Sequence, residues 1–369
     1  MTRHFLAGEA QGRFTQARID AIRTIARVVD ERRAAFVVVA GDVFEHNQVA
    51  RQTVARTLEA LASLTVPVLL LPGNHDPLDA GSVFRSRAFV DGCPEQVIVL
   101  DDAGVRPVPG VAGVEILAAP WTGKKPLEDL VGRALRNSPA PTAGAIRVVV
   151  GHGCVDSLSP DRDDPAVIRL ADLEAALRDG RAHYVALGDR HSSTEVGSST
   201  AVRYSGAPEP TDFDELRPGR VLVVDLEPVR ATIVDEVEVG TWRFVDLRTE
   251  LDGEPSVADL AARLAALPQK ERTILRLALS GSLGIADSAM LDANLSTASE
   301  QFASLRRWER HDRLTIQPQQ LDIAELGLGG YARQAWQQLA ASAASDAADR
   351  DVARDALVLL HRLAAEQRR

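Results

Sequence analysis

The sequence predicts an α/β protein built on parallel strands, followed by a second, smaller α+β domain. Two observations carry this. Residues 36–40 (FVVVA) and 66–71 (VPVLLL) are short apolar runs rich in branched residues, the pattern of strands buried on both faces. Each ends in a loop that carries a glycine followed by polar residues, and a segment with helical spacing lies between them. Strand, polar loop, helix, strand is the rhythm of a βαβ unit. Parallel sheets of this kind collect ligands at the carboxyl ends of their strands.

The elements follow in order. Ile19, Ile22, Ala26 and Val29 predict a helix over residues 18–33, and Val54, Leu58, Leu61 and Leu64 predict a second. Further short strands are expected at 97–100, 114–119, 146–150, 184–187 and 221–226, with a helix around 170–177. Turn residues rather than helices separate some of them, so a mixed sheet is expected, with residues 138–144 as a Pro/Ala surface loop. The texture changes at 238–242, where a domain boundary is placed. Beyond it, strands are expected at 242–251, 273–279 and 314–316 and a helix at 257–267. The chain ends in Ala- and Gln-rich helix, with Val352, Ala356, Leu359, Leu360 and Leu363 as one apolar stripe.

A length of 369 residues suffices for two domains. With 45% hydrophobic and 25% charged residues, disordered and fibrous classes are excluded. The net charge of −10 argues against a protein that coats DNA by charge alone. It is compatible with a nuclease whose positive charge is bound metal. Cys93 and Cys154 cannot build a disulfide framework, which points to a reducing cytoplasm. Residues 1–13 lack the apolar core of an export signal, and every apolar run is too short to span a bilayer.

Four strand ends carry the chemistry. Gly41-Asp42, Gly73-Asn74-His75-Asp76, Gly151-His152 and Gly188-Asp189-Arg190-His191 each set a glycine before a side chain that can bind metal or hydrogen-bond. Each glycine is expected to let the backbone turn sharply and bring that side chain over the sheet edge. Asp, Asn and His together form an oxygen/nitrogen ligand set suited to Mn, Fe or Zn. No GxSxG, HExxH or Walker motif competes with this reading.

These four blocks resemble the motifs of the calcineurin-like metallophosphoesterases. Residues 36–44 (FVVVAGDVF), 66–77 (VPVLLLPGNHDP) and 204–215 (YSGAPEPTDFDE) look like the DNA-repair exonuclease branch of that family, the SbcD-like proteins. The resemblance implies a four-layer α/β/β/α sandwich over residues 1–240 and a C-terminal capping, DNA- or partner-binding domain over 241–369. It implies a phosphodiester hydrolase, a DNA exonuclease or endonuclease of double-strand-break repair, with two divalent metal ions, manganese expected. By resemblance Asp42 bridges both metals, Asn74 and His152 bind the second, and His75 stands beside the scissile phosphate with Asp76 as its orienting partner. Implied partners are DNA and an SMC-like coiled-coil ATPase, and a homodimer is a further possibility. The rival readings are a phosphodiesterase or phosphatase of small nucleotides, and a non-catalytic scaffold with a decayed metal site.

Two departures from the family pattern matter. The family's last motif is Gly-His-x-His, and here Asp189 replaces the first histidine. Asp189 is either a hard ligand or only a hydrogen-bonding group, while His191 keeps its place. The opening Asp-x-His strand has no counterpart, and His4, with no strand before it, is no substitute. The first metal then keeps Asp42 and His191 alone. Either Met1 is an internal start with one strand upstream of it, or one metal site is lost. A missing inner strand leaves open edges that cost stability and invite aggregation.

The remaining polar residues divide. Arg190 stands where it can touch substrate phosphate. Cys154, His183, His46, His311 and His361 are read as structural or surface groups. Arg306, Arg307, Arg310 and Arg313 flank Trp308, a grouping suited to phosphate contact and base stacking, although Glu309 and Asp312 interrupt it and favour a solvated face.

Overall fold

Alternate burial along single strands sets the architecture. A computed structural model describes residues 6, 8–227, 232–316, 330–344 and 349–366. His4 and the side chain of His361 lie outside the described residues. The chain divides into two compact units, one over Gln11–Trp242 and the other from Arg243 onward together with the described residues up to Ala10.

In the first unit, α1 (Gly8–Arg32) leads into β1 (Val37–Val39), then α2 (Arg51–Leu61) and β2 (Val68–Leu70). After α3 (Arg87–Val90) comes β3 (Val97–Val99). These strands form a parallel sheet in the order β1-β2-β3. A second sheet holds β4 (Val105–Pro107), β5 (Val114–Ala118), β6 (Ile146–His152), β7 (Tyr184–Gly188), β8 (Thr194–Glu195) and β9 (Val202–Tyr204). Its order is β4-β5-β6-β7-β9-β8, parallel through β5, β6, β7 and β9 and antiparallel at both margins. The helices α4 (Leu130–Asn137) and α5 (Leu170–Arg178) belong to this half. A separate antiparallel pair joins β10 (Arg220–Asp225) to β11 (Ile233–Glu238).

Side chains of one strand enter two different cores. Val68 and Leu70 of β2 pack with Val54, Leu58 and Leu61 of α2, whereas Leu69 and Leu71 pack with Ile116, Ala118, Val148 and Val150 of the second sheet. Leu117 and Val149 face the other way, toward Val131 and Leu135 of α4 and Leu173 of α5. The two sheets therefore lie face to face over one apolar layer, each backed by helices. This is the four-layer α/β/β/α sandwich that the sequence motifs imply. A strand with apolar residues on both faces cannot show a period of two, which is why residues 36–40 and 66–71 read as unbroken runs.

The second unit alternates strand and helix. Its strands are β12 (Arg243–Leu251), β13 (Thr273–Leu283), β14 (Ser304–Arg307) and β15 (Arg313–Ile316), and its helices α6 (Glu254–Ala266) and α7 (Ile285–Ser299). All three pairings, β12–β13, β13–β14 and β13–β15, are parallel. The final helices are α8 (Gly330–Ala344) and α9 (Arg350–Glu366). Of the terminal stripe, Leu360 packs against a buried cluster and three other members do not. Ala353 and Leu357 of α9 pack with Trp336 and Ile285, while Val352, Leu359 and Leu363 are 68%, 46% and 49% exposed. Among the described residues no helix is long and apolar enough to cross a membrane.

The loop at 138–144 is anchored from below. Arg147 on β6 stands opposite Glu115 on β5, with an Arg147 nitrogen 2.6 Å from Glu115 Oε1 and only 1% of the Arg147 side chain exposed. Arg147 also donates to the Pro139 carbonyl at 2.7 Å, and Thr142 donates to the second Glu115 oxygen at 3.1 Å. Glu115→Ala strands a buried guanidinium, so it is expected to destabilise the protein by about 3–5 kcal/mol in urea unfolding. A cost under about 1 kcal/mol, the range of exposed pairs, would show that the arginine is not desolvated.

Candidate metal centre

The site forms where β1 and β2 of one sheet and β6 and β7 of the other reach their carboxyl ends. His152, the last residue of β6, is wedged between the sheets. Its Nδ1 lies 2.8 Å from the Ala40 carbonyl oxygen just after β1. A carbonyl only accepts, so Nδ1 carries a proton, and in the neutral ring it is Nε2 that presents the lone pair. Trp121 fixes the strand end from the other side, donating from Nε1 to the His152 carbonyl at 2.7 Å.

Acceptors collect around that lone pair. Asp42 Oδ2 is 3.3 Å from His152 Nε2, and Asp189 Oδ1 is 3.9 Å away. The Asn74 amide faces only acceptors, Asp42 Oδ1 and Oδ2 and His152 Nε2. It therefore turns Nδ2 to them, at 3.2, 3.0 and 2.9 Å. Burial pushes the Asp42 carboxyl up, but the hydrogen bond and charge of His152, with the His75 N–H, outweigh it and hold the group below its ordinary value. Burial pushes the His152 imidazole down, and Asp42 reverses that to a net rise. The two shifts are reciprocal, each group favouring the charged form of the other.

The glycines do two different jobs. Only Gly41 of the four takes a left-handed φ, +97°. At Gly188 the backbone bend expected from sequence is absent, and the requirement is space: a Cβ there would stand 1.7 Å from the Ala40 oxygen. The left-handed turns fall instead on the ligand candidates, Asp42 at φ +56° and Asp189 at φ +94°. Aspartate bears this conformation better than most residues, yet it is strained, and such strain clusters at functional sites.

Two loops exchange carboxylates. Asp42 Oδ1 accepts the His75 N–H at 2.9 Å, and Asp76 accepts Phe44 N–H at 2.9 Å and Gly73 N–H at 2.8 Å. Asp76 is fully buried by this clamp. The expected pairing of Asp76 with the His75 ring is not what the structure shows, because the His75 Nδ1 lies 2.8 Å from the Glu45 carbonyl oxygen. The sequence could not reveal a backbone partner. His75 itself is exposed at the rim.

His191 has its own set of partners. Its side chain is 49% exposed, with Nδ1 3.1 Å from Glu215 Oε1 and 2.7 Å from Thr211 Oγ1. Burial pushes the Glu215 carboxyl up, and its bonds to His191 and Thr211 pull it below the ordinary value. Arg190 is exposed, with Nε donating to Thr194 Oγ1 at 2.9 Å. Sequence reasoning does not single out Tyr204, Thr211 or Glu215, although all three lie in the 204–215 block. The Tyr204 hydroxyl donates to the Gly153 carbonyl at 2.8 Å and accepts the Val155 N–H at 3.0 Å, fixing the turn after His152.

The remaining candidates stay structural. His183 Nδ1 accepts the Arg147 N–H, and His46 Nδ1 accepts the Gln48 N–H. Burial pushes the Cys154 thiol up, away from the thiolate a metal would need. In the second unit Trp308 stacks within its own domain, with the Arg276 guanidinium 3.6 Å from the ring centroid and the His311 ring 3.8 Å away. Arg307 pairs with Asp312. The ring is therefore engaged by its own arginine and histidine rather than presented for base stacking.

Among the described residues no three His, Cys, Asp or Glu side chains are arranged to hold a metal ion by themselves. The centre includes an amide as well: Asp42, Asp189, His152 Nε2 and Asn74, whose side chain can turn Oδ1 inward. That set of hard and borderline donors around a convergent point fits a divalent cation.

Residues 15–193 match the sequence model of the calcineurin-like phosphoesterase family. That segment, a little under half of the chain, resembles a calcineurin-like phosphoesterase domain, and domains of that family are typically metal-dependent hydrolases of phosphoesters. No curated protein matches the chain. Solved structures similar to it include TT1561 of Thermus thermophilus, at 10% identity over 60% of this chain and 94% of that one, TM-score 0.39. A second crystal structure is 16% identical over 60% of this chain and 95% of its own, TM-score 0.37.

The crowding at Gly188 and the burial of Asp76 can each be tested. Gly188→Ala places a methyl against the Ala40 carbonyl and is expected to cost about 1–3 kcal/mol of stability and to weaken divalent-cation binding in calorimetry. Unchanged binding would mean the sheet ends part without disturbing His152. Burial pushes the Asp76 carboxyl up from 3.8 to about 6 against the pull of its N–H bonds. The folded protein holds that proton more tightly, so its contribution is greatest below this window and is lost as pH rises through it. The loss is at most about 3 kcal/mol. Urea unfolding of metal-free wild type and Asp76→Asn between pH 4 and 7 reads it as a difference that closes toward low pH.

Proposed function

We propose that the protein is a metal-dependent phosphodiester hydrolase acting on DNA, an exonuclease or endonuclease of double-strand-break repair. The observation that carries hydrolysis is the convergence of Asp42, Asn74, His152 and Asp189 at four strand ends of a domain that resembles the calcineurin-like phosphoesterases. The DNA reading rests on the SbcD-like character of residues 36–44, 66–77 and 204–215.

A divalent cation at this centre, manganese by expectation, supplies Lewis acidity to a phosphoryl oxygen. Asp42, Asn74 and His152 would hold it, and Asp42, Asp189 and His191 would be the ligands of a second ion. His75, with Nδ1–H fixed on the Glu45 carbonyl, has Nε2 for the departing oxygen, where it can stabilise charge or hold a proton. Arg190 contacts the substrate phosphate from the rim. The second unit acts as the capping and DNA- or partner-binding domain, and the partner is an SMC-like coiled-coil ATPase.

Asp42→Ala is expected to abolish manganese-dependent turnover of bis-p-nitrophenyl phosphate and of linear duplex DNA, a fall of more than about 1,000-fold. Wild-type turnover in that variant would overturn the mechanism. Hydrolysis of the small diester without any DNA cleavage, alone or with an ATPase partner, would move the substrate class to small nucleotides. No turnover with Mn, Fe or Zn would leave a scaffold.

A further inference from the structure

The segment that follows β9 folds back over the last site motif. The Ala207 N–H donates to the His191 carbonyl at 2.9 Å, and the Leu216 N–H donates to Ser192 Oγ at 2.9 Å. Gly206, at φ +82°, lies so close to this loop that a Cβ would stand 2.7 Å from the His191 oxygen. Within the fold-back, the Glu215 carboxylate accepts the Thr211 N–H at 2.8 Å through Oε2 and the Thr211 hydroxyl through Oε1. Its side chain is only 6% exposed, so it is a desolvated acceptor in a fixed place.

Proton counting then fixes the state of His191. The Glu215 carboxylate has no proton to give, so a hydrogen bond between its Oε1 and His191 Nδ1 needs the proton on Nδ1, which leaves the Thr211 hydroxyl proton for Glu215. The His191 Nδ1 stands 3.1 Å from Glu215 Oε1 and 2.7 Å from Thr211 Oγ1, two atoms that can only accept from it. Nδ1 therefore carries the imidazole proton, and Nε2 carries the lone pair.

We infer that Glu215 is a positioning residue: with Thr211 it fixes His191 as the Nδ1–H tautomer and so makes Nε2 the nitrogen whose lone pair a cation would take. A carboxylate behind a ligating histidine both orients the ring and raises its basicity. His152 reaches the same tautomer through a carbonyl, Ala40. His191 lies on an exposed loop without such a strand end behind it, and the fold-back supplies the acceptor. The inference rests on the hydrolase reading only for the identity of the cation site, because the tautomer is a property of the metal-free chain.

Imidazole 15N spectroscopy on the metal-free, histidine-labelled full chain tests it, with His191 assigned from His191→Gln. Wild type is expected to show the Nδ1–H form at mildly alkaline pH, and an Nε2–H form would overturn the proposal without any variant. Glu215→Ala is expected to release the tautomer to a mixture and to weaken manganese binding by about 10- to 100-fold in calorimetry. Glu215→Gln keeps an acceptor and the fold-back, so it retains the Nδ1–H form with a smaller loss of affinity. Retention of both the tautomer and wild-type manganese affinity in Glu215→Ala would also overturn it. Failure of the hydrolase reading looks different: the wild-type chain would show the expected tautomer and no hydrolysis of bis-p-nitrophenyl phosphate.

Discussion

The imidazole of His152 is the member on which the site depends. It closes the gap between two sheets, with one nitrogen against the Ala40 carbonyl of the first and its own backbone in the second. That contact requires the sheets to converge at their carboxyl ends, and they can do so only where side chains are missing, at Gly41 and Gly188. Everything else in the centre is arranged around the ring's second nitrogen. Asp42, Asn74 and Asp189 come from three different strand ends, and none of them touches another except near that atom or through the loops beside it.

Burial and charge reinforce this arrangement. Two carboxylates and an imidazole lone pair facing one another are unfavourable without compensation. Part of the compensation is visible: the amide of Asn74 and the N–H of His75 donate to Asp42. The same surplus of acceptors is what makes the place suitable for a cation. The net charge of −10 is therefore no obstacle to an anionic substrate, because the attraction needed is local.

Much of this is legible in the sequence, and for a physical reason. A strand buried on both faces must be apolar, so the polar residue at its end stands out, as the Gly41-Asp42, Asn74-His75, His152 and His191 blocks do. The four-layer architecture follows from the motif resemblance and appears in the alternation of Val68, Leu69, Leu70 and Leu71 between two cores. What stays hidden is equally specific. Glu215 and Thr211 look like ordinary loop residues because their burial comes from a fold-back that no periodicity announces. The β14 strand, Ser304–Arg307, reads as a charged surface run because its arginines are exposed. The terminal stripe of α9 reads as a packing face, yet only Leu360 of it joins Ala353 and Leu357 in the cluster that packs, while Val352, Leu359 and Leu363 are exposed.

The exchange between the 42–45 and 73–76 loops carries a consequence for how this chain can change length. Loops are ordinarily where insertions and deletions are absorbed, since little depends on their register. Here each loop holds the other by a carboxylate aimed at a particular N–H, Asp42 on His75 and Asp76 on Phe44. One added residue in either would shift every donor past its acceptor. The two segments that look most like free loops are therefore as fixed in length as the strands they follow.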